Sequence, residues 1–301
     1  MAIPGFPNSG TSYTMTTMEE ASNYSTATNY GAEVTAKGRY SLSIYPRHPE
    51  GPFWEGLSGE LGTIRYLPPK YVLVKTHCGS RCVKCSPSGY MQTLENFAIA
   101  CRNTTARIPQ ADHRTGFQYP VAWVKKAIHL IRDPFSNIVS RFHHERKNFV
   151  QKKNDEWLTK YPDNPKGFQQ WCADNDKDSE LDEFQTFEYD LLKAVQLAPC
   201  HGEVFKFVQW HNLAFALTEK FSIETKVLLY EDFEEHFDET IESLLRFMEF
   251  PQARAPRQFS AKGSYSDYYS HVDRRRIGLL VKKIATKVTW KHLERYILDI
   301  D

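Results

Sequence analysis

The sequence predicts an α/β fold, a central parallel sheet flanked by helices, on three observations. Residues 127–131 form a nearly continuous apolar run, as expected of a strand buried on both faces. Similar runs near residues 2–6, 71–75 and 226–230 are dispersed among helical patterns, which favours one parallel sheet over two domains. Finally, residues 6–14 read as a strand end, a tight turn and a helix N-terminus in succession. At 301 residues the chain is long enough to bury a sizeable core, and we expect one domain spanning 1–301.

The first element is followed by FPNSGTSYT, residues 6–14. A turn of this kind aims backbone N–H groups at one spot, where the helix dipole adds about half a positive charge and favours a phosphate. Gly10 lets the backbone approach an anion, and the hydroxyls of Ser9, Thr11 and Ser12 add neutral donors. The same residues also serve as ordinary caps and turns. No lysine follows Gly10 and the first glycine of a Walker loop is missing, which disfavours an ATP or GTP hydrolase. The second strand, within KYVLVKTHC (residues 70–78), ends in Lys75-Thr76-His77. Lys75 and His77 alternate and so point to one side, pairing a cation with a possible general base. A strand-end histidine is otherwise structural or surface, and this chain has 11 histidines.

The third strand leads into RDPFSNIVSRF, residues 132–142. Arg132 falls at the carboxyl end of its strand, where open α/β sheets place ligands. Asp133 and Pro134 suit an N-cap and a first helical position, and Phe135, Ile138, Val139 and Phe142 follow with helical spacing. Arg132 and Ser140 are candidates to converge on a second anion, against local roles for both. Further helices are expected over 184–197, 205–221, 238–249 and 272–296, the last one broken. The stretches 47–69 and 145–183 read as variable insertions, the second strongly charged. With 38 basic and 37 acidic residues the net charge is +1, which gives no case for a nucleic-acid partner.

Taken in order, FPNSGTSYT, LVKTH and LIRDPFSNIVSRF resemble the signature elements of the sulfotransferases that use 3′-phosphoadenosine-5′-phosphosulfate (PAPS). The resemblance implies a P-loop-NTPase-like sulfotransferase fold, with PAPS as cosubstrate and no metal. It implies that Pro7, Asn8, Ser9, Gly10, Thr11, Ser12 and Tyr13 hold the phosphosulfate, that His77 is the catalytic base and that Lys75 assists it. Arg132 and Ser140 keep the eight-residue spacing of the family's 3′-phosphate element. Residues 226–233 are similar to its Y-E-D strand end, which places Tyr230 near the adenine. Residues 259–263 are similar to its late F-x-R-K-G loop, which assigns Lys262 and Gly263 to the 3′-phosphate. There are departures: Asn8 stands where cytosolic members carry lysine, Tyr13 where they carry tryptophan, and Ala261 where many carry arginine. Lys75 or Arg81, and Lys262 or Arg257, are the residues left to supply the missing charge. The implied acceptor is a hydroxyl on a small molecule, a lipid or sterol, or a glycan. The rivals are a catalytically impaired protein that binds 3′-phosphoadenosine-5′-phosphate (PAP), and a nucleotide-dependent kinase.

Cys78, Cys82 and Cys85 follow His77 as C-x3-C-x2-C, with Cys101 further on. The cluster suits either a disulfide or, with His77, a zinc site, and Cys172 and Cys200 are a second pair or core thiols. No signal peptide or apolar span of about 18 residues is present, so the chain as given reads as cytoplasmic. The family also has anchored Golgi members, and the cysteines would suit a lumenal domain whose anchor lies outside this chain.

Overall fold

The computed structural model describes residues 1–30, 42–45, 51–54, 67–79, 93–107, 114–177, 188–260 and 265–298. They group into two compact units, one from Met1–Gly79, Leu94–Ile131 and Leu217–Ala261, the other chiefly from Arg132–Ala216 and Lys262–Asp301.

The first unit holds the sheet. Its strands are Ala2–Pro4 (β1), Ala27–Thr28 (β2), Leu42–Ile44 (β3), Phe53–Trp54 (β4), Val74–Thr76 (β5), Lys126–Ile131 (β8) and Glu224–Leu229 (β9), in the order β4-β3-β2-β5-β1-β8-β9. A separate hairpin pairs Asn103–Arg107 (β6) with Arg114–Gln118 (β7). Six strands of the sheet run parallel, and β4 adds an antiparallel edge to β3. The chain leaves β1 toward β2 on one side and later adds β8 and β9 on the other. That reversal makes the carboxyl end of β1 a topological switch point, the place where such sheets open a ligand crevice.

The strands β1, β5, β8 and β9 form at the four apolar runs, whereas β2, β3, β4 and the β6–β7 hairpin lie outside them, β4 within the stretch 47–69. All six residues of β8 are buried. The ladder at β5 begins before the strand proper, because the Val72 and Leu73 carbonyls already accept from the Met1 amine and the Ala27 amide. On one face, Ile3, Leu73, Ile128, Leu130 and Leu228 pack in one core with side chains of Thr11–Ser22 (α1) and Phe237–Met248 (α9). Burial in α9 falls at Thr240, Ile241, Leu244, Leu245 and Met248, the stripe of an amphipathic helix. Both helices end on residues in the left-handed region, Asn23 and Glu249, whose amides close onto the preceding turn. A short helix, Asp232–Glu235 (α8), joins β9 to α9, and Leu94–Arg102 (α2) precedes the hairpin.

The second unit is helical: Pro134–Gln151 (α3), Asp155–Lys160 (α4), Pro165–Lys177 (α5), Tyr189–Leu197 (α6), His201–Lys220 (α7, counted here to Ala216), His271–Ile284 (α10) and Lys287–Leu298 (α11). Asp133 caps α3 by accepting the Phe135 and Ser136 amides, with Pro134 in the first turn, as the sequence predicts. The expected break in the last helix falls at Ala285 and Thr286. In the charged stretch 145–183 the described residues are those up to 177. They complete α3 and form α4 and α5, whose Phe168, Trp171 and Cys172 are buried. Phe168 and Trp171 meet Phe142 at ring distances of 5.8 and 5.7 Å. The helical period was masked because three apolar side chains stand among many charged ones. Cys172 is disulfide-bonded to Cys200, and Asp176, one turn on, accepts the Gly202 amide at the start of α7. Beside it, the buried Glu203 carboxylate takes Arg141 Nε at 2.5 Å and Lys206 Nζ at 3.0 Å.

Candidate active site

At the switch point β1 passes into a turn in which the Ser9 amide donates to the Phe6 carbonyl at 3.1 Å. Asn8 and Gly10 both lie in the left-handed region, at φ 69° and 97°. Asparagine tolerates that region better than most side chains. Gly10 has a second reason to be glycine: a Cβ there would meet the Tyr230 ring at 2.3 Å. The first intrahelical bond of α1 runs from the Thr14 amide to the Gly10 carbonyl, so the amides of Thr11, Ser12 and Tyr13 precede it. No acidic side chain occupies that first turn. The turn therefore keeps the donors and the positive end of the dipole that an anion needs.

Strand alternation sends Lys75 and Thr76 to opposite sides. Lys75, 5% exposed, reaches α1 and donates from Nζ to Ser12 Oγ at 2.8 Å. A buried ammonium is thus held at the helix N-terminus by a neutral hydroxyl. Thr76 instead donates to the Cys101 carbonyl at 3.2 Å, which also receives Asn29 Nδ2 at 2.7 Å and the Tyr119 hydroxyl at 3.3 Å. Burial pushes the Tyr119 phenol up to about 12, against the pull of its bond to Asn29, so the phenol remains a donor at neutral pH. Cys78 and Cys101 form a disulfide, which ties the residue after His77 to the last turn of α2.

His77 is buried, and its Nδ1 lies 2.7 Å from the Gly5 carbonyl oxygen. A carbonyl only accepts, so Nδ1 carries a proton, and the neutral tautomer that makes this bond has its lone pair on Nε2. Tyr30 fixes the residue twice: its hydroxyl accepts the His77 amide, and its ring stacks on the imidazole at 5.5 Å. Gly5 and Tyr30 are site residues that the sequence reading did not identify. Gly5 offered a faint signal as the residue between strand and turn, whereas Tyr30, just beyond a two-residue strand, offered none.

Tyr230, at the end of β9, donates its amide to the Ile131 carbonyl at 2.8 Å. With Tyr13, Phe233 and Phe259 it forms a cluster of edge-to-face pairs at centroid distances of 5.1–6.4 Å, in which Phe233 and Phe259 stack at 6.5 Å. The first unit thus brings Ser9, Gly10, Ser12, Tyr13, Lys75, His77 and Tyr230 into one region. Arg132 and Ser140 belong to the second unit, at the start of α3 and two turns in. Between them Ser136, on the same helix face as Ser140, is committed to the cap through its bond to Asp133 Oδ2 at 2.7 Å. Arg257 is exposed, and its amide donates to Glu20. Arg81, Ala261, Lys262 and Gly263 lie outside the described residues.

The chain is similar in shape to a sulfotransferase. The structure is that of the enzyme from Alicyclobacillus acidocaldarius, with a TM-score of 0.42 and 13% identity over 99% of this chain and 94% of that one. No family model matches the chain, and no curated protein matches its sequence.

The zinc reading of the cysteine cluster does not survive for its first member. The sulfur of Cys78 is bonded to that of Cys101, and His77 Nδ1 is committed to Gly5. Cys82 and Cys85 lie outside the described residues. Among the described residues no group of three or more His, Cys, Asp or Glu side chains is placed to hold a metal. No helix among them is long and apolar enough to cross a membrane.

Proposed function

We propose that the chain, taken as one catalytic domain over 1–301, transfers a sulfuryl group from PAPS to an acceptor hydroxyl. The observation that carries this reading is the joint placement of Lys75 and His77 beside the turn at Gly10. Lys75 reaches Ser12 at the helix N-terminus, and His77 hangs by Nδ1 from Gly5 at the start of the same turn.

In this reading the 5′-phosphosulfate is held by the amides at the start of α1 and the hydroxyls of Ser9, Thr11 and Ser12. PAPS supplies the activated sulfuryl group. The chain supplies orientation, charge and a proton acceptor. His77 takes the acceptor's proton on Nε2 as the acceptor oxygen bonds to sulfur, and the bridging sulfur–oxygen bond breaks with its electron pair going to the phosphate. The Lys75 ammonium and the turn amides stabilise the charge that gathers on that phosphate. Arg132 and Ser140, with Lys262 and Gly263, are assigned to the 3′-phosphate, and Tyr13 and Tyr230 to the adenine side. The acceptor is a hydroxyl of a small molecule, a lipid or a glycan. The two described disulfides favour an oxidising compartment over the cytoplasm.

The test is calorimetric titration with PAP, against ATP with magnesium, on the wild type and on Arg132→Ala, followed by transfer assays on His77→Ala. Tight PAP binding that needs Arg132, with turnover abolished but affinity kept in His77→Ala, is expected. A preference for ATP, or unchanged PAP affinity in Arg132→Ala, would overturn the cofactor. Full turnover in His77→Ala would overturn the base.

A further inference from the structure

The last two helices, α10 and α11, have a property that the proposed reaction does not use. Between His271 and Leu298 the chain carries eight Lys or Arg residues against two carboxylates. In a chain of net charge +1, this leaves the remainder acidic in balance. The cations are also sorted by face. Along α10 the exposed positions after His271 are Val272, Arg275, Arg276, Leu279, Lys282 and Lys283, a single stripe at helical spacing. The opposite side buries Ile277, Gly278, Leu280 and Val281, and Gly278 lets Ile297 of α11 pack close. Along α11 the exposed stripe is Lys287, Val288, Lys291, Arg295 and Leu298.

The carboxylates are turned to other work. Asp273 closes a capping box with Ser270, and Glu294 is half-buried. Among the described residues, Arg275, Arg276, Lys282, Lys283, Lys287 and Lys291 enter no ion pair. The connection at Ala285 and Thr286 gathers Lys282, Lys283, Lys287 and Lys291 within about a turn and a half of the hairpin tip. Between these cations stand apolar side chains in the open: Val272 is 56% exposed, Leu279 55%, Val288 48% and Leu298 60%.

We propose that this hairpin is a docking surface for an anionic lipid bilayer. A helix face that interleaves basic with aliphatic side chains fits the interface of such a bilayer: the aliphatic groups enter the headgroup boundary while Lys and Arg stems reach out to the phosphates. Each Lys or Arg near an anionic surface strengthens binding about fivefold, and the attraction fades within a Debye length. A nucleic-acid surface would gain nothing from four exposed aliphatic side chains. Attachment of this kind lies on the membrane, consistent with the lack of any crossing helix among the described residues. The inference does not depend on the proposed reaction.

The test is flotation of the full chain with vesicles of phosphatidylcholine alone and of phosphatidylcholine doped with phosphatidylserine. Binding is expected only to the doped vesicles and should fall with added salt. Combined Lys282→Gln, Lys283→Gln and Lys287→Gln should weaken it roughly 100-fold, at about fivefold per charge. Leu279→Ser with Val288→Ser should weaken it as well, while the melting temperature stays put because both side chains are exposed. No binding to doped vesicles, or binding unchanged in the triple variant, would overturn the proposal. So would binding to heparin or duplex DNA that is equally salt-sensitive and indifferent to the Leu279 and Val288 changes, since that describes a polyanion surface instead.

Discussion

Replacing Lys75 by methionine isolates the charge at the turn. Lys75 is 5% exposed and its ammonium is held 2.8 Å from Ser12 Oγ, so it meets any anion seated on the first turn of α1 at close range. A unit charge about 4 Å from a phosphate charge is worth about 4 kcal/mol at an effective dielectric of about 20, and less as solvent and counterions enter. With about half of that surviving as the net effect, Lys75→Met should weaken PAP binding by about 2 kcal/mol, roughly 30-fold. Methionine keeps the length of the stem and places no unpaired polar atom in the space, so the fold should hold. Calorimetric titration with PAP gives the affinity, and thermal melting of the free protein separates folding from binding. Lys75→Arg keeps the charge but not the shape, and should recover part of the loss. An affinity within threefold of wild type for Lys75→Met, in a protein that melts normally, would mean that the anion does not sit where the turn and the lysine meet.

Other outcomes follow from the same geometry. Tyr30→Phe keeps the ring stacked on His77 but removes the hydroxyl that accepts its amide. It should lower stability by about 1–3 kcal/mol in urea unfolding, and an unchanged midpoint would refute the hydrogen bond. The Cys78–Cys101 disulfide closes a separation of 23 residues, so replacing both cysteines by serine should cost about 3 kcal/mol and leave the histidine ring mobile in NMR. Stability that ignores the change would mean the bond constrains nothing. Burial pushes Asp176 from 3.8 up to about 6, against the pull of His201. A raised carboxyl favours the fold most when protonated, so its contribution is full below pH 3.8 and lost as the pH rises through about 6. Relative to Asp176→Asn, the wild type should therefore lose about 3 kcal/mol of unfolding free energy between about pH 4 and pH 7. Parallel pH profiles for the two proteins would contradict the assignment.

The parallel sheet and the turn at residues 6–14 were legible because each depends on neighbours in the chain. An apolar run such as 127–131 announces a buried strand by itself, and Asp133-Pro134 announces the helix that follows. What local pattern could not supply was the partners. Lys75 finds Ser12 across 63 residues, His77 finds Gly5 across 72, and Tyr30 reaches His77 across 47. These pairings come from strand order and register, and periodicity carries no record of strand order. The helices α4 and α5 were missed for a different reason. Their buried stripe is short, and the charges around Phe168 and Trp171 dilute the 3.6-residue signal below what a window can resolve.

Gly5 has a role in this molecule beyond its hydrogen bond. Its carbonyl orients His77, while a Cβ on the same residue would meet the Thr11 methyl at 2.5 Å. The two requirements fall on different atoms of one residue, so positions 5 and 11 are not free to vary independently. Alanine at position 5 becomes admissible once position 11 gives up its methyl, as in serine, whereas alanine at position 5 beside Thr11 clashes. A selection over both positions should therefore return Gly–Thr and Ala–Ser together and leave Ala–Thr empty. That pattern would mark the histidine and the turn at residues 6–14 as a single heritable unit.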